Sequence, residues 1–472
     1  MEPTITGVVL VLLFIMAMWK VRNGALYMVT FFVPFASTAI INVTAFTFSA
    51  TPYHIFGSVL IGLTLLQWTA RPIDGNDLDS RSPFLWMIGF LAMLIASTFE
   101  LATSHGVTKY VVFQSVILVL GFLFSWAVAN NITSTEITRR LITIYLWGGL
   151  FAASWGLFQW VCLNTGLPYP AEIFNNSISD SGALFDQTLK QTTYVVYRLS
   201  SVSMEPSHIA RYLLSVLLIA IVMIGEGIGR VPFGRLYIYL VSGVIALTTS
   251  STGLMGLVLV YSFAMVVYTR VFLRDVIIMG MTGLFLLLLS PKLATIAASV
   301  TVDKEDTGSF DLRADSMVFG YKAFTQAPFF GHGWGWFKGG STLSQIQDLL
   351  FKLLSSVGLI GFTLFLIFCV SGIMGAWVAL RRVDARLVHG RLSEEERDTG
   401  RFLRAATLAF MGCFLLSLFL DAIASFIYYA AFFWFIFGAM VGISRTATAW
   451  AREEAVTVPL PAPLRRAPAE AH

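Results

Sequence analysis

Charged side chains are scarce in this chain. Asp, Glu, Lys and Arg make up 12% of its 472 residues, about half the share of a soluble domain. That scarcity excludes a solvated globular surface over most of the length. Cysteine is nearly missing too. Cys162, Cys369 and Cys413 each fall in an apolar run without CxxC or metal-ligand spacing, which excludes a disulfide framework and predicts buried packing. The six histidines are scattered and HExxH is missing, so no metal is expected. There is no GxxxxGK[ST] loop and no GxGxxG turn after a strand, so neither ATP hydrolysis nor a dinucleotide cofactor is expected. The net charge of +4 is small for this length and no basic stripe alternates with aromatics, so nucleic acid is not an expected partner.

Apolar length is what the chain has in excess. Hydrophobic residues make up 57% of it and the mean hydropathy is +0.76. Apolar runs lie near 5–19, 25–48, 54–70, 83–101, 108–129, 138–163, 206–226, 232–249, 252–269, 274–291, 348–380, 403–421 and 424–444. Runs of about 20 residues match the thickness of a bilayer, so the expected fold is an all-α polytopic membrane protein of about 12–14 transmembrane helices. The first run, from Val8 to Trp19, lacks a basic segment before it and reads as a span rather than a signal peptide. The spans group as 1–163, 206–291 and 348–446, separated by polar stretches at 164–205 and 292–347. The Pro-, Ala- and Arg-rich segment 447–472 is predicted to be a disordered tail.

Basic residues predict the orientation. Lys20 and Arg22, Arg71 and Arg81, Arg139 and Arg140, Arg230 and Arg235, Arg270 and Arg274, the arginines of 381–404 and those of the tail fall on one face if the spans alternate. Short cytoplasmic loops keep such an excess, so that face and the C-terminus are expected to be cytoplasmic. Both polar stretches and the turn 249-TSST-252 then meet on the outer face.

Candidate chemistry gathers there. In 198-RLSSVSMEPSHIAR-211, Arg198, Glu205, His208 and Arg211 lie at the mouth of an apolar run. Pro206 suits the first turn of a helix, and Glu205 is either its cap or a catalytic carboxylate. Arg211 would lie over a turn into the helix, either facing a polar cavity or snorkelling to the interface. In the second stretch, Arg313 opens a segment of helical character with Met317, Tyr321 and Phe324 spaced for one face, followed by 331-GHGWGWF-337. Those rings fit an interfacial belt or stacking on sugar faces. With Lys322 and Lys338 the outer face carries several cations, and arginine forks match diphosphate oxygens. A carboxylate could take the proton of an attacking hydroxyl.

This ordered set resembles the integral-membrane O-antigen polymerase and ligase superfamily of bacterial polysaccharide assembly. The shared features are Arg198 before Glu205-Pro206-Ser207, the hydroxyl-rich TTSSTG at 248–253, Arg313 opening the external-loop helix, and GHGWGWF at 331–337 before GLIG at 358–361. The resemblance spans about residues 198–361. It implies a GT-C-like glycosyltransferase architecture with a large, partly helical periplasmic loop, in the bacterial inner membrane. It also implies a metal-independent reaction on an undecaprenyl-diphosphate-linked oligosaccharide, at an active site facing the periplasm, with a chain-length regulator and a flippase as partners. Residues expected to hold diphosphate and glycan are Arg198, Arg211, Arg313, Lys322, Tyr321, His332 and Trp334, although the place of His332 inside the glycine turn suits a structural role. The sequence also departs from the family. Ser251-Thr252 stands where Ser-Arg is frequent, and Gln347-Asp348 where ligases keep His-Asn. Glutamine cannot act as a base, which leaves Glu205 or Asp348. The first expectation is therefore a polysaccharide polymerase, the second a ligase of the same fold. A transporter or flippase of lipid-linked sugars is the third; it would place charges at mid-membrane in repeated halves, whereas the ionisable residues gather at the outer mouth, no internal repeat is evident, and Asp421, the main exception between two apolar runs, falls at an outer turn by the topology.

Overall fold

The computed structural model describes residues 2–44, 48–69, 78–105, 109–178, 197–289, 309–336, 346, 348–423 and 431–452. Helices dominate because a chain in hydrocarbon must close its own backbone hydrogen bonds. In chain order the elements are β1 (Glu2–Pro3), α1 (Ile5–Lys20), α2 (Gly24–Phe32), β2 (Ile41–Val43), β3 (Phe48–Ala50), α3 (Pro52–Thr69), α4 (Leu78–His105), α5 (Lys109–Asn131), α6 (Thr135–Thr165) and α7 (Ala171–Phe174). There follow α8 (Pro206–Gly225), α9 (Arg235–Leu247), α10 (Ser251–Leu289), α11 (Ser309–Gln326), α12 (Leu349–His389), α13 (Glu394–Ile423) and α14 (Ala431–Arg452). Among the described residues seven helices, α5, α6, α8, α10, α12, α13 and α14, are long and apolar enough to cross a membrane. Shorter apolar helices are α1, α9 and Pro83–Phe99 within α4. The chain is an all-α multi-pass membrane protein by these lengths and compositions.

One expected span takes a different form. The run 25–48 is helical only through Phe32. Pro34 follows, and the β-branched stretch after it enters a small antiparallel sheet of order β1-β2-β3, with Glu2 opposite Asn42 and Ile41 opposite Ala50. The runs 252–269 and 274–291 form two helical segments of α10, which is broken between them at Tyr268 (φ −127°, ψ 36°). The Tyr261 hydroxyl donates to the Met279 sulfur at 3.4 Å, whereas a straight helix would hold those residues about 27 Å apart. The helix therefore doubles back at Tyr268. The segment expected to be disordered from 447 begins instead as helix, since α14 continues to Arg452.

The helices alternate between two ends of the bundle. At one end the Arg139 guanidinium lies 5.1 Å from the Phe402 ring and that of Arg230 lies 5.6 Å from it, while Arg404 pairs with Glu226 and Asp384. At the other end a polar cap covers the helices. Asn175 Nδ2 donates to Ser37 Oγ and to the Ser201 carbonyl, both at 2.9 Å. Ala39 N donates to Asn176 Oδ1, and Thr4 Oγ1 donates to the Ala39 carbonyl, both at 2.6 Å. Helix α8 runs between the two ends, packed by α6, α9, α10 and α13.

Candidate functional site

The segment leading into α8 is held rigidly. Gln159 is a fully buried polar residue in α6, and its Oε1 accepts from the Ser200 and Ser201 amides at 3.1 and 2.6 Å. Ser201 Oγ donates to the Ala152 carbonyl at 2.6 Å, and Ser201 has a φ of 55°, unusual for a residue with a side chain. Arg198 emerges from this clamp onto the hydroxyl-rich turn. Its Nε donates to Thr249 Oγ1 at 3.1 Å and to the Thr248 carbonyl at 3.4 Å. Burial pushes the Arg198 guanidinium below its usual range, and the charge of Glu205 pushes it back up. The turn sits close because α10 packs tightly on α8: a Cβ at Gly253 would come within 2.9 Å of the Ala210 Cβ. Two motifs far apart in sequence, the arginine before EPS and TTSST, thus form one place.

Glu205 occupies the N-cap position of α8, with Pro206 in the first turn, as the sequence predicts. Its carboxylate does not cap the helix. The backbone carbonyl does that work, accepting from the His208 and Ile209 amides at 3.1 and 3.2 Å. The side chain is 37% exposed; Glu205 Oε2 accepts from Ser207 Oγ at 3.2 Å and lies 3.6 Å from His208 Nε2. The carboxylate is therefore available at the surface of the cluster, backed by a buried imidazole. His208 stands in the same stretch as Glu205, and its role beside that carboxylate emerges only from the fold.

Arg211 is placed differently from expectation. It is enclosed, not open to a ligand. Its guanidinium pairs with Asp421 in the last turn of α13, and both side chains are 2% exposed. The reason is electrostatic: in the second turn of an apolar helix an unpaired cation is costly, and α13 supplies the opposite charge. Asp421 was legible as a charge between apolar runs; its partner was not.

A second cluster forms around the glycine-aromatic turn. Helix α12 breaks at Gly358 (φ 65°), where a Cβ would lie 2.2 Å from the Phe329 carbonyl oxygen. The break leaves carbonyls and amides without helical partners, and the turn before α12 supplies them. The His332 and Gly333 amides donate to the Ser355 and Ser356 carbonyls at 2.8 and 2.9 Å. The Leu359 and Ile360 amides donate to the Pro328 and Phe329 carbonyls at 2.8 and 3.3 Å. GHGWG and GLIG are thus two halves of one backbone junction. The rings pack inward. Trp334 is 1% exposed, and Trp336 stacks between Phe319 at 5.8 Å and His332 at 4.6 Å. His332 Nε2 lies 2.9 Å from the Ala323 carbonyl at the end of α11. Stacking of Trp334 on sugar is therefore replaced by core packing, and His332 has the structural place its sequence position suits.

Helix α11 turns Ser316, Gly320 and Ala323 inward, while Tyr321 is 56% exposed and Lys322 is exposed. Its inner face is the row of small residues, not Met317, Tyr321 and Phe324. Arg313 lies in this helix with its side chain outside the described residues, and Gln347, Phe337 and Lys338 also lie outside them. Asp348 is the N-cap of α12: its Oδ1 accepts from Phe351 N at 2.8 Å. Burial pushes its carboxyl above the usual range, opposed by the helix amides and by Lys352. The cysteines are buried and unlinked. Among the described residues no three His, Cys, Asp or Glu side chains converge as a metal centre would require. No family model matches the sequence, and no curated protein does.

Proposed function

We propose that the chain is a membrane glycosyltransferase that polymerises cell-surface polysaccharide. It would transfer a glycan from a polyprenyl diphosphate onto the next lipid-linked repeat unit at the polar-cap end of the bundle. The observation that carries this reading is the meeting of Arg198 with the TTSST turn beside a half-exposed Glu205 carboxylate that does not cap its helix. Arginine matches diphosphate oxygens. Glu205 takes the proton of the acceptor hydroxyl as that oxygen bonds to the anomeric carbon. The bond from that carbon to the phosphate oxygen breaks, and diphosphate leaves with the electron pair, its charge met by Arg198. His208 stands behind the carboxylate and orients it. A GT-C-like arrangement in the bacterial inner membrane, with this end in the periplasm, belongs to the same reading; the basic residues at the opposite end support it.

One observation favours transport instead: Arg211 and Asp421 form the kind of enclosed pair that transporters place on their ion paths. It lies in the second turn of α8 and the last turn of α13, toward one end rather than at the middle. Purified full-length protein supplied with a synthetic lipid-diphosphate repeat unit separates the readings. A ladder of products is expected, with Glu205→Gln reducing its rate by about 10²–10⁴-fold at equal protein. Transfer of one finished chain to a distinct acceptor would indicate a ligase. Lipid movement across a vesicle without new glycosidic bonds would overturn the enzyme reading.

A further inference from the structure

Helices α12 and α13 part near the basic end and leave a hollow of about 290 Å³, lined by Trp377, Leu380, Arg381, Asp384, Arg404 and Leu408. Its three charges are not equivalent. Arg404 is engaged: its Nε donates to Asp384 at 2.7 Å and a terminal nitrogen donates to Glu226 at 2.6 Å. Asp384 shares that guanidinium with Glu226. Arg381 is exposed, its guanidinium resting 4.9 Å from the centre of the Trp377 ring. Among the described residues no carboxylate forms an ion pair with it. Arg381 is therefore the lining cation that no carboxylate holds, while Asp384 and Glu226 share the single charge of Arg404.

Its setting tells what would meet that charge. Leu366, Val370, Met374, Trp377 and Val378 recur every three or four residues along α12, each between 39% and 51% exposed. That stripe faces outward, as a lipid-covered surface would, and it ends at Arg381. From the break at Gly358 to Arg381 the helix rises about 34 Å, close to the roughly 30 Å of a hydrocarbon core. Trp377 is then at interface level, where tryptophan concentrates, and Arg381 one turn further, among headgroups. An arginine fork that no carboxylate holds, between helices at that depth, suits an anionic lipid headgroup.

We propose that this hollow binds the phosphate of an anionic phospholipid, with Arg381 as its fork and the acyl chains lying along the α12 stripe and Leu408. The inference stands apart from the glycosyltransferase reading, because it concerns the other end of the bundle and its test needs no turnover. Full-length protein is delipidated in detergent and titrated with phosphatidylglycerol, phosphatidylcholine or inorganic phosphate, and bound lipid is counted by native mass spectrometry. Wild type should retain phosphatidylglycerol in preference to phosphatidylcholine. Arg381→Ala should weaken that retention about tenfold, and Arg381→Lys less. Arg382→Ala, one exposed residue away and outside the hollow, should leave it unchanged, and all variants should elute as wild type does. Equal retention by Arg381→Ala, or equal binding of the two lipids, would overturn the site. Displacement of the lipid by millimolar inorganic phosphate would assign the hollow to a soluble anion and overturn the lipid.

Discussion

Helices α8 and α13 are pinned together twice, once at each end, and the two pins differ. At the polar-cap end Arg211 meets Asp421 with both side chains 2% exposed. At the basic end Glu226, which follows α8, meets Arg404 with side chains 17% and 33% exposed, and Arg404 also holds Asp384. Residues 211 and 226, and 404 and 421, are about 22 and 26 Å apart along their helices, within one hydrocarbon thickness. The same chemistry therefore does two jobs. In the enclosed pair each buried charge is met by the other, so the pair fixes the register of α8 against α13 and holds the helix that carries Glu205 and His208. In the open network water competes for every contact, which makes it a weaker tie.

The largest effect should follow from breaking the enclosed pin. Asp421→Ala leaves Arg211 buried without its counter-charge, at a cost of about 3–5 kcal/mol. The expected result is loss of folded, monodisperse protein in detergent. Arg211→Met with Asp421→Leu should recover much of that loss, because two well-packed apolar groups avoid desolvation altogether. A single variant as stable as wild type would show that the guanidinium has another anion.

Gly358→Ala comes next. It forces a Cβ against the Phe329 carbonyl at a left-handed backbone position, with an expected cost of about 1–3 kcal/mol of strain before the clash is counted. The junction of the glycine turn with α12 lies away from both pins. A drop in thermal stability with the α8–α13 contacts unchanged, read by a disulfide placed between those helices, separates the two devices. Glu226→Gln should cost no more than about 1 kcal/mol, since Arg404 keeps Asp384 and is a third exposed. A loss as large as that from Asp421→Ala would erase the distinction between the ends.

Much of this was legible from sequence, and what was not has physical causes. Apolar runs and basic turns marked the helices and the two ends, because hydropathy and charge are local properties. The segment 34–50 misled because its composition is as apolar as a span, while Pro34 and the β-branched residues after it decide its path. Arg198, Glu205 and the TTSST turn were recognisable as motifs; that they touch depends on the packing of Gly253 on Ala210. The pairing of Arg211 was not legible, because a single charge in a helix does not reveal its partner. Asp421 lies 210 residues away in the chain. Gln159 carried the same kind of signal, one polar residue within an apolar helix, and its importance appears only when the Ser200–Ser201 amides arrive beside it.

The smallest effect should also have the opposite sign. Asp348 is buried like Asp421, but helix amides rather than an arginine hold it, and burial pushes its carboxyl above the usual range. A carboxyl raised on folding contributes stability that is present below its unfolded value and lost as pH rises through the folded one. Asp348→Asn keeps an acceptor for Phe351 N and cannot ionise. It should therefore raise the melting temperature slightly at neutral pH, and the difference should vanish on acidification to about the usual carboxylate range. Asp421→Asn should do the reverse at neutral pH, because Arg211 requires the charge. If Asp348→Asn instead destabilised the protein at neutral pH, Lys352 would be acting on Asp348 as Arg211 acts on Asp421, and the two carboxylates would be of one kind. Transfer activity measured on Asp348→Asn then bears on the mechanism as well. A helix cap tolerates asparagine and a general base does not, so retained activity leaves Glu205 as the carboxylate that takes the proton.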